Sequence, residues 1–269
     1  MDTVKELLDN LHKYKVREVE ERILALPSQD IDKLIEKCRI DERKGIQNIA
    51  NKYLRKKEKM QLEVARTKEL YKWERSLWSQ GVATVAGIDE VGRGCVAGPV
   101  VAAAVILPME PMILNLNDSK KLSADQRDRC AEEIRNQAID YAIGEVSAER
   151  IDEIGIVSAT FEAMRQALDK LIFTPDYLLV DAFKIPGISI AQKNIIGGDS
   201  ESASIAAASI IAKVYRDDTM KKYKSEYSEY GFEKHKGYGT PEHMQFIEQY
   251  GITPLHRITF LSKKEDREL

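Results

Sequence analysis

The sequence predicts an α/β fold: a mixed sheet with helices on both faces, preceded by a small N-terminal α-helical appendage. Three observations predict it. Residues 1–75 are rich in charge and poor in glycine, with apolar residues at helical spacing. From Ala83 the texture changes to short apolar runs split by Gly and Pro. The first two runs are joined by a short turn, and later ones alternate with helical stretches, which is a mixed rather than an all-parallel order.

Taken in order, Leu7, Leu8 and Leu11, then Ile31, Leu34 and Ile35, mark helix faces in the appendage. Ser28-Gln29-Asp30-Ile31, after Pro27, reads as a helix start. The stretch Lys52 to Leu70 carries opposite charges three or four apart, as on an exposed helix; its lysines read as a solvated face, with nucleic-acid contact the alternative. Trp73 and Trp78 fall near the boundary with a second domain, placed at residues 83–262, and read as residues that pack the two together. Strands are predicted over 83–90, 99–107 and 140–147. Ser123-Ala124-Asp125-Gln126 is a capping box that opens a helix to about Ala138. A helix over 157–172 leads to the strand Tyr177 to Asp181, and a further strand spans 188–196. A long helix of small residues then runs from Ser202 to about Tyr215 and continues into charged sequence.

Composition narrows the function classes. A chain of 269 residues allows one large domain, or a medium one with an appendage. No apolar run is long enough for a membrane span, and no signal peptide is visible. Cys38, Cys95 and Cys130 stand at unrelated spacings with no disulfide or metal pattern, which fits a reducing cytoplasm. With 41 basic and 44 acidic residues, the net charge of −3 does not by itself announce a nucleic-acid binder.

The chemistry is concentrated in Ile88-Asp89-Glu90-Val91-Gly92-Arg93-Gly94. Two carboxylates end an apolar strand and enter a turn made permissive by Gly92, Gly94 and Gly98. Burying an ionised carboxylate costs several kcal/mol unless a cation compensates it, so the pair points to a hard metal ion. Glycines at these positions also let the backbone approach a ligand closely. A dinucleotide-binding loop would need a helix after the glycines, whereas Pro99 to Leu107 reads as strand. The bland reading is a surface Asp-Glu turn. Ile151-Asp152-Glu153-Ile154-Gly155 repeats the pattern in a helical context, and its acids read as helix-start or surface charges.

Asp181 ends a second apolar strand, and in open α/β sheets ligands lie at strand ends. If the two strands are neighbours, Asp89, Glu90 and Asp181 converge. Asp199, after Gly197-Gly198, is a fourth candidate, with a helix N-cap as its alternative role. An all-carboxylate set favours Mg²⁺ or Mn²⁺ over zinc. Two such ions suit hydrolysis of a phosphodiester. His235 and His243 flank Tyr238, but with too few ligands for zinc they read as structural or surface residues. Asp217 reads as half of an ion pair.

Gly87 to Gly94 with Ala97-Gly98-Pro99 closely resembles the opening motif of ribonuclease HII, the type 2 ribonuclease H. Further matches follow in that family's order: Asp118 to Ser123, Asp181-Ala182, Gly198-Asp199, Ser204 to Val214 with Arg216-Asp217, Lys236 to Thr240, and His256-Arg257 with Phe260. They cover about residues 83–260, and the helical appendage resembles the extension of some bacterial members. The resemblance implies a ribonuclease H-like fold and a metal-dependent endonuclease. Such an enzyme cuts the RNA strand of RNA–DNA hybrids and nicks 5′ of ribonucleotides embedded in duplex DNA, leaving 3′-hydroxyl and 5′-phosphate ends. By matching position, Asp89, Glu90, Asp181 and Asp199 would be catalytic metal ligands. Gly92, Arg93 and Gly94 would read the 2′-hydroxyl, Tyr238 would stack at the junction, and Lys120 and Lys121 would contact phosphates. The sister ribonuclease HIII typically carries threonine at the position of Arg93 and a strand-rich N-terminal domain, which favours HII here. Cys95 stands where many relatives have proline. A monomer is expected, with no membrane contact. The competing readings are a four-carboxylate exonuclease, which would carry Asp-x-Glu, and a non-catalytic hybrid-binding protein.

Overall fold

The computed structural model describes residues 4–26 and 31–265. The chain forms two compact units, residues 1–66 and 67–269. The first contains α1 (Val4–Asn10), α2 (Val16–Ala25), α3 (Ile31–Arg39) and most of α4 (Lys44–Leu70). Its core gathers the apolar positions predicted from spacing, among them Leu7, Leu11, Leu34 and Ile35, together with Val19 and Ile46. The helix start predicted at Ser28-Gln29-Asp30 lies outside the described residues. Arg43 ties the unit's loops together: its guanidinium donates to the carbonyls of Leu11 and Tyr14 and pairs with Asp41 at 2.8 Å. That partner pulls the Asp41 carboxyl down to about 2. The mixed charges of α4 do more than line one exposed helix, because Lys52 pairs with Glu20 and Lys57 with Asp32.

The second unit begins within the last turn of α4, continues through α5 (Lys72–Ser79), and contains a five-stranded sheet. Its strands are β1 (Val85–Val91), β2 (Val100–Ile106), β3 (Asp140–Val146), β4 (Tyr177–Asp181) and β5 (Ala191–Ile195), ordered β3-β2-β1-β4-β5. The first three pair antiparallel, while β4 and β5 add in parallel. Every strand expected from the sequence is present, with bounds shifted by three residues or fewer. Successive side chains of β2 alternate between faces. Val101, Ala103 and Val105 enter the core covered by α6 (Ala124–Gln137) and α9 (Ala203–Lys222). Val100, Ala102 and Ala104 enter the core covered by α7 (Ala148–Ile154) and α8 (Ile156–Asp169). The helices α10 (Phe232–His235), α11 (Pro241–Tyr250) and α12 (Ile258–Glu265) complete the chain. Leu70 and Tyr71 belong to the core beneath α9, and Trp73 and Trp78 pack beside Val85 and Leu179.

Two strand glycines set how closely the helices approach. A Cβ on Gly87 would lie 2.0 Å from the backbone of Ser204, so α9 rests directly on β1. A Cβ on Gly144 would lie 1.9 Å from the carbonyl oxygen of Ala163, so α8 does the same on β3. The small residues of α9, from Ala203 to Ala212, are buried almost without interruption as a consequence. Overpacking a well-packed core costs about 1–3 kcal/mol, and here the obstacle is backbone rather than a mobile side chain. Gly144→Val should therefore lower the unfolding free energy of the second unit, read from urea titration, by at least that amount, whereas Gly94→Ala, at a position with no neighbour within 4 Å and no positive φ, should cost less. Equal losses in urea titrations of the two variants would contradict this packing.

Candidate active site

Parallel pairing of β1 with β4 sets Ile88 opposite Val180, so Asp89 and Asp181 leave adjacent strands side by side. Asp89 points towards α9 and is 6% exposed. Burial drives its carboxyl well above the usual range, reinforced by the charges of Glu90 and Asp181. Hydrogen bonds from Ser209 and from the Glu90 N–H oppose the shift. Burial likewise raises Glu90, against the attraction of Arg93, whose guanidinium lies 3.1 Å from Oε1. The other carboxylate oxygen of Glu90, Oε2, is buried without a hydrogen-bond partner. Asp181 accepts the Gly198 N–H at 2.7 Å, which anchors the turn bearing Asp199.

Asp199 is not a helix cap: Ser202 caps α9 by accepting the Ile205 N–H. Its carboxyl is raised by burial, then by the neighbouring charges of Asp118 and Asp181, and lowered by Lys120. All four predicted carboxylates are thus brought into one acidic neighbourhood, which Asp118 joins. Among the described residues, no three acidic, histidine or cysteine side chains are closed into a finished metal cage. Several oxygens are already committed to protein donors, while Glu90 Oε2 has no hydrogen-bond partner and burial disfavours charge on Asp89, Glu90 and Asp199, a penalty that a cation would relieve. An all-oxygen set of this kind fits a hard divalent ion.

The turn after β1 is fixed by two fully buried arginines, which the sequence offered as matches to the family pattern but without a role. Arg216 donates to the carbonyls of Pro99, Ala97 and Lys236. Arg257 donates twice to Gly98 and once to Arg93, and burial pulls it down to about 10. Gly92 is needed for an internal reason, because at φ +93 a Cβ would meet Arg216 Nε at 2.3 Å. Gly94, by contrast, faces open space. Arg93 lies over the half-exposed ring of Phe183, 5.0 Å away, a neighbour the sequence reading passed over.

Tyr238 sits on a loop docked against this turn: the N–H groups of Val96 and Ala97 both donate to the Gly237 carbonyl. Its ring is 42% exposed, its hydroxyl meets Cys95, and Lys213 stands 5.9 Å over its face. Lys121 donates to Ser200 and lies 3.9 Å from Asp118, so Lys120 and Lys121 flank the Asp199 turn. The second Asp-Glu pair is elsewhere: Asp152 accepts the N–H groups of Ile258 and Thr259, and Glu153 pairs with Arg150. Asp217 pairs with Lys213 at 2.7 Å. His235, His243 and His256 are buried and bonded to one another or to backbone.

Comparison with known proteins accords with this geometry. The family model for ribonuclease HII matches residues 86–263, and that for the ribonuclease HII N-terminal domain matches residues 15–78. The chain is 49% identical to a ribonuclease HII of Clostridioides difficile over 91% of its length and 96% of the relative's. It is also 49% identical to a ribonuclease HII of Bacillus cytotoxicus, covering 94% and 97%. Among solved structures, ribonuclease H2 of Pyrococcus horikoshii superposes with a TM-score of 0.59 at 29% identity, over 69% of this chain and 98% of that one. Near-complete coverage by both family models and by these relatives places the chain in the ribonuclease HII family, endoribonucleases that cleave the RNA of RNA–DNA hybrids.

Proposed function

We propose that this chain nicks duplex DNA on the 5′ side of an embedded ribonucleotide, besides cutting the RNA strand of hybrids, in a reaction that depends on Mg²⁺ or Mn²⁺. The observation that carries the reading is the convergence of Asp89, Glu90 and Asp181 at adjacent strand ends, beside a glycine turn whose Gly94 faces open space. Asp89, Glu90, Asp181 and Asp199 would hold the metal, with the unpartnered Glu90 oxygen as a ready ligand atom. When bound, two such ions supply an activated water and stabilise the leaving oxygen. Water adds to phosphorus, the bond to the 3′ oxygen breaks, and that oxygen takes a proton. The products are a 3′-hydroxyl and a 5′-phosphate.

The chain's own residues supply selection. A 2′-hydroxyl distinguishes RNA from DNA, and the backbone groups of Gly92 and Gly94, with the Arg93 side chain beside them, are suited to read it. The exposed Tyr238 ring offers a stacking surface at the junction. Lys120 and Lys121 hold phosphate without reading sequence. Arg93 also neutralises Glu90 until a cation arrives. We also read the protein as a cytoplasmic monomer. The three buried free thiols suit a reducing compartment, and no helix among the described residues is long and apolar enough to cross a membrane.

A labelled duplex with one ribonucleotide should be nicked once, 5′ to it, and an all-DNA duplex should not be cut. EDTA should abolish the nick and added Mn²⁺ restore it. Asp89→Asn should retain on the order of 10⁻³ of the rate or less, the scale of losing a preorganised electrostatic contact to the transition state. A variant that nicks at the wild-type rate would overturn the assignment. Arg93→Ala should lose more on the single-ribonucleotide duplex than on a continuous hybrid, by roughly tenfold for one contact of about 1.4 kcal/mol. Equal losses in parallel kcat/KM measurements would place Arg93 outside the reading of the junction.

A further inference from the structure

Two of the three histidines of the second unit, His256 and His243, form a hydrogen-bonded relay that ends on the Tyr238 carbonyl, while His235 bonds backbone on the other side of the loop. His256 Nδ1 faces two donors on Thr253, the N–H at 2.8 Å and the hydroxyl at 2.9 Å. That nitrogen must therefore accept, which leaves the His256 proton on Nε2. His256 Nε2 lies 3.1 Å from His243 Nε2, so the latter accepts and the His243 proton sits on Nδ1. His243 Nδ1 in turn lies 2.9 Å from the Tyr238 carbonyl, which can only accept. On the other side of Tyr238, the Gly237 N–H donates to His235 Nδ1, and His235 Nε2 faces the Tyr230 carbonyl at 2.7 Å. The rings of His235 and His243 stack at 4.0 Å. Partners on the backbone thus dictate all three tautomers.

We propose that His243 is a positioning residue for Tyr238, held as its Nδ1–H tautomer by the relay from Thr253 through His256, with His235 gripping the preceding peptide. The proposal rests on the reading of Tyr238 as the residue that stacks at the junction. A protonated ring has no acceptor nitrogen, so a proton on any of the three histidines breaks one link. Burial opposes that charge, pulling His235 down and His256 to about 4. The charges that face the cluster are Glu233, Glu242 and Lys236 around His235, while the tyrosine ring of Tyr230 packs on His256. The Arg257 guanidinium is turned away to Gly98 and Arg93. Between the ordinary histidine value and about 4, an unfolded chain takes up protons that the folded cluster refuses. The clamp is therefore intact near neutrality and is lost as pH falls.

Long-range ¹H–¹⁵N spectra of the full-length protein at pH 7.5 should show His243 as the Nδ1–H tautomer and His235 and His256 as Nε2–H tautomers. His256 should titrate near 4. A His243 found as the Nε2–H form would overturn the proposal whatever the activity. Two substitutions separate positioning from packing, because an asparagine amide overlays Nδ1 and a glutamine amide overlays Nε2. His243→Asn keeps the donor to Tyr238 despite its smaller volume, and His243→Gln keeps the volume but loses the donor. On the single-ribonucleotide duplex, His243→Gln should lose roughly tenfold in kcat/KM, the scale of one hydrogen bond. His243→Asn should lose less. The reverse ranking would mean that the ring serves packing alone. Tyr238→Ala nicking like wild type would remove the reading beneath the proposal and the positioning role with it, even if the tautomers stand.

Discussion

A carboxylate driven into the end of a central strand is the constraint around which the second unit is organised. Taking such a group out of water costs several kcal/mol after relaxation, and among the described residues no ion pair offsets it at Asp89. It accepts hydrogen bonds from the hydroxyl of Ser209 and the N–H of Glu90. Parallel pairing then sets Asp181 alongside, and the two strands together place more negative charge where little water reaches. The fold thus stores an electrostatic deficit at one point, which a bound cation would relieve. The close approach of α9 to β1 serves this arrangement, since the helix that covers Gly87 also delivers Ser209.

The turn that follows β1 is held by two cations with no carboxylate partner among the described residues: Arg216 and Arg257 are buried and satisfied mainly by backbone carbonyls. Such bonds to a charged donor are among the stronger ones in proteins. They draw carbonyls inward along the turn and join it to the Tyr238 loop through Lys236. Gly92 is committed to this internal staple, and Gly94 is left open to solvent. One rigid assembly therefore carries the carboxylates, the arginine turn and the exposed tyrosine.

Much of this was legible in the sequence. Apolar runs ending in Asp89 and Asp181 identified two strands and their polar ends, and the Ser123 capping box located a helix start to the residue. Asp199 is an instructive case, because local preference offered a helix cap and only the fold shows Ser202 in that role. What escaped the sequence depends on long-range partners. Nothing local to Arg216 or Arg257 announces that its guanidinium is buried against carbonyls more than a hundred residues away in the chain. Ser209 lies hidden in a run of small residues that reads as packing. His235 and His243 looked like surface or structural residues until the fold stacked them behind Tyr238, with His256 bonded to His243.

If the buried acids form a cation site, crystals of the protein grown with Mn²⁺ and measured at its absorption edge will show it directly. Anomalous density touching Asp89, Glu90 and Asp181, with Arg93 displaced from Glu90, is the predicted result. Manganese bound only elsewhere, with Asp89 unliganded and the Arg93–Glu90 pair intact, would contradict it.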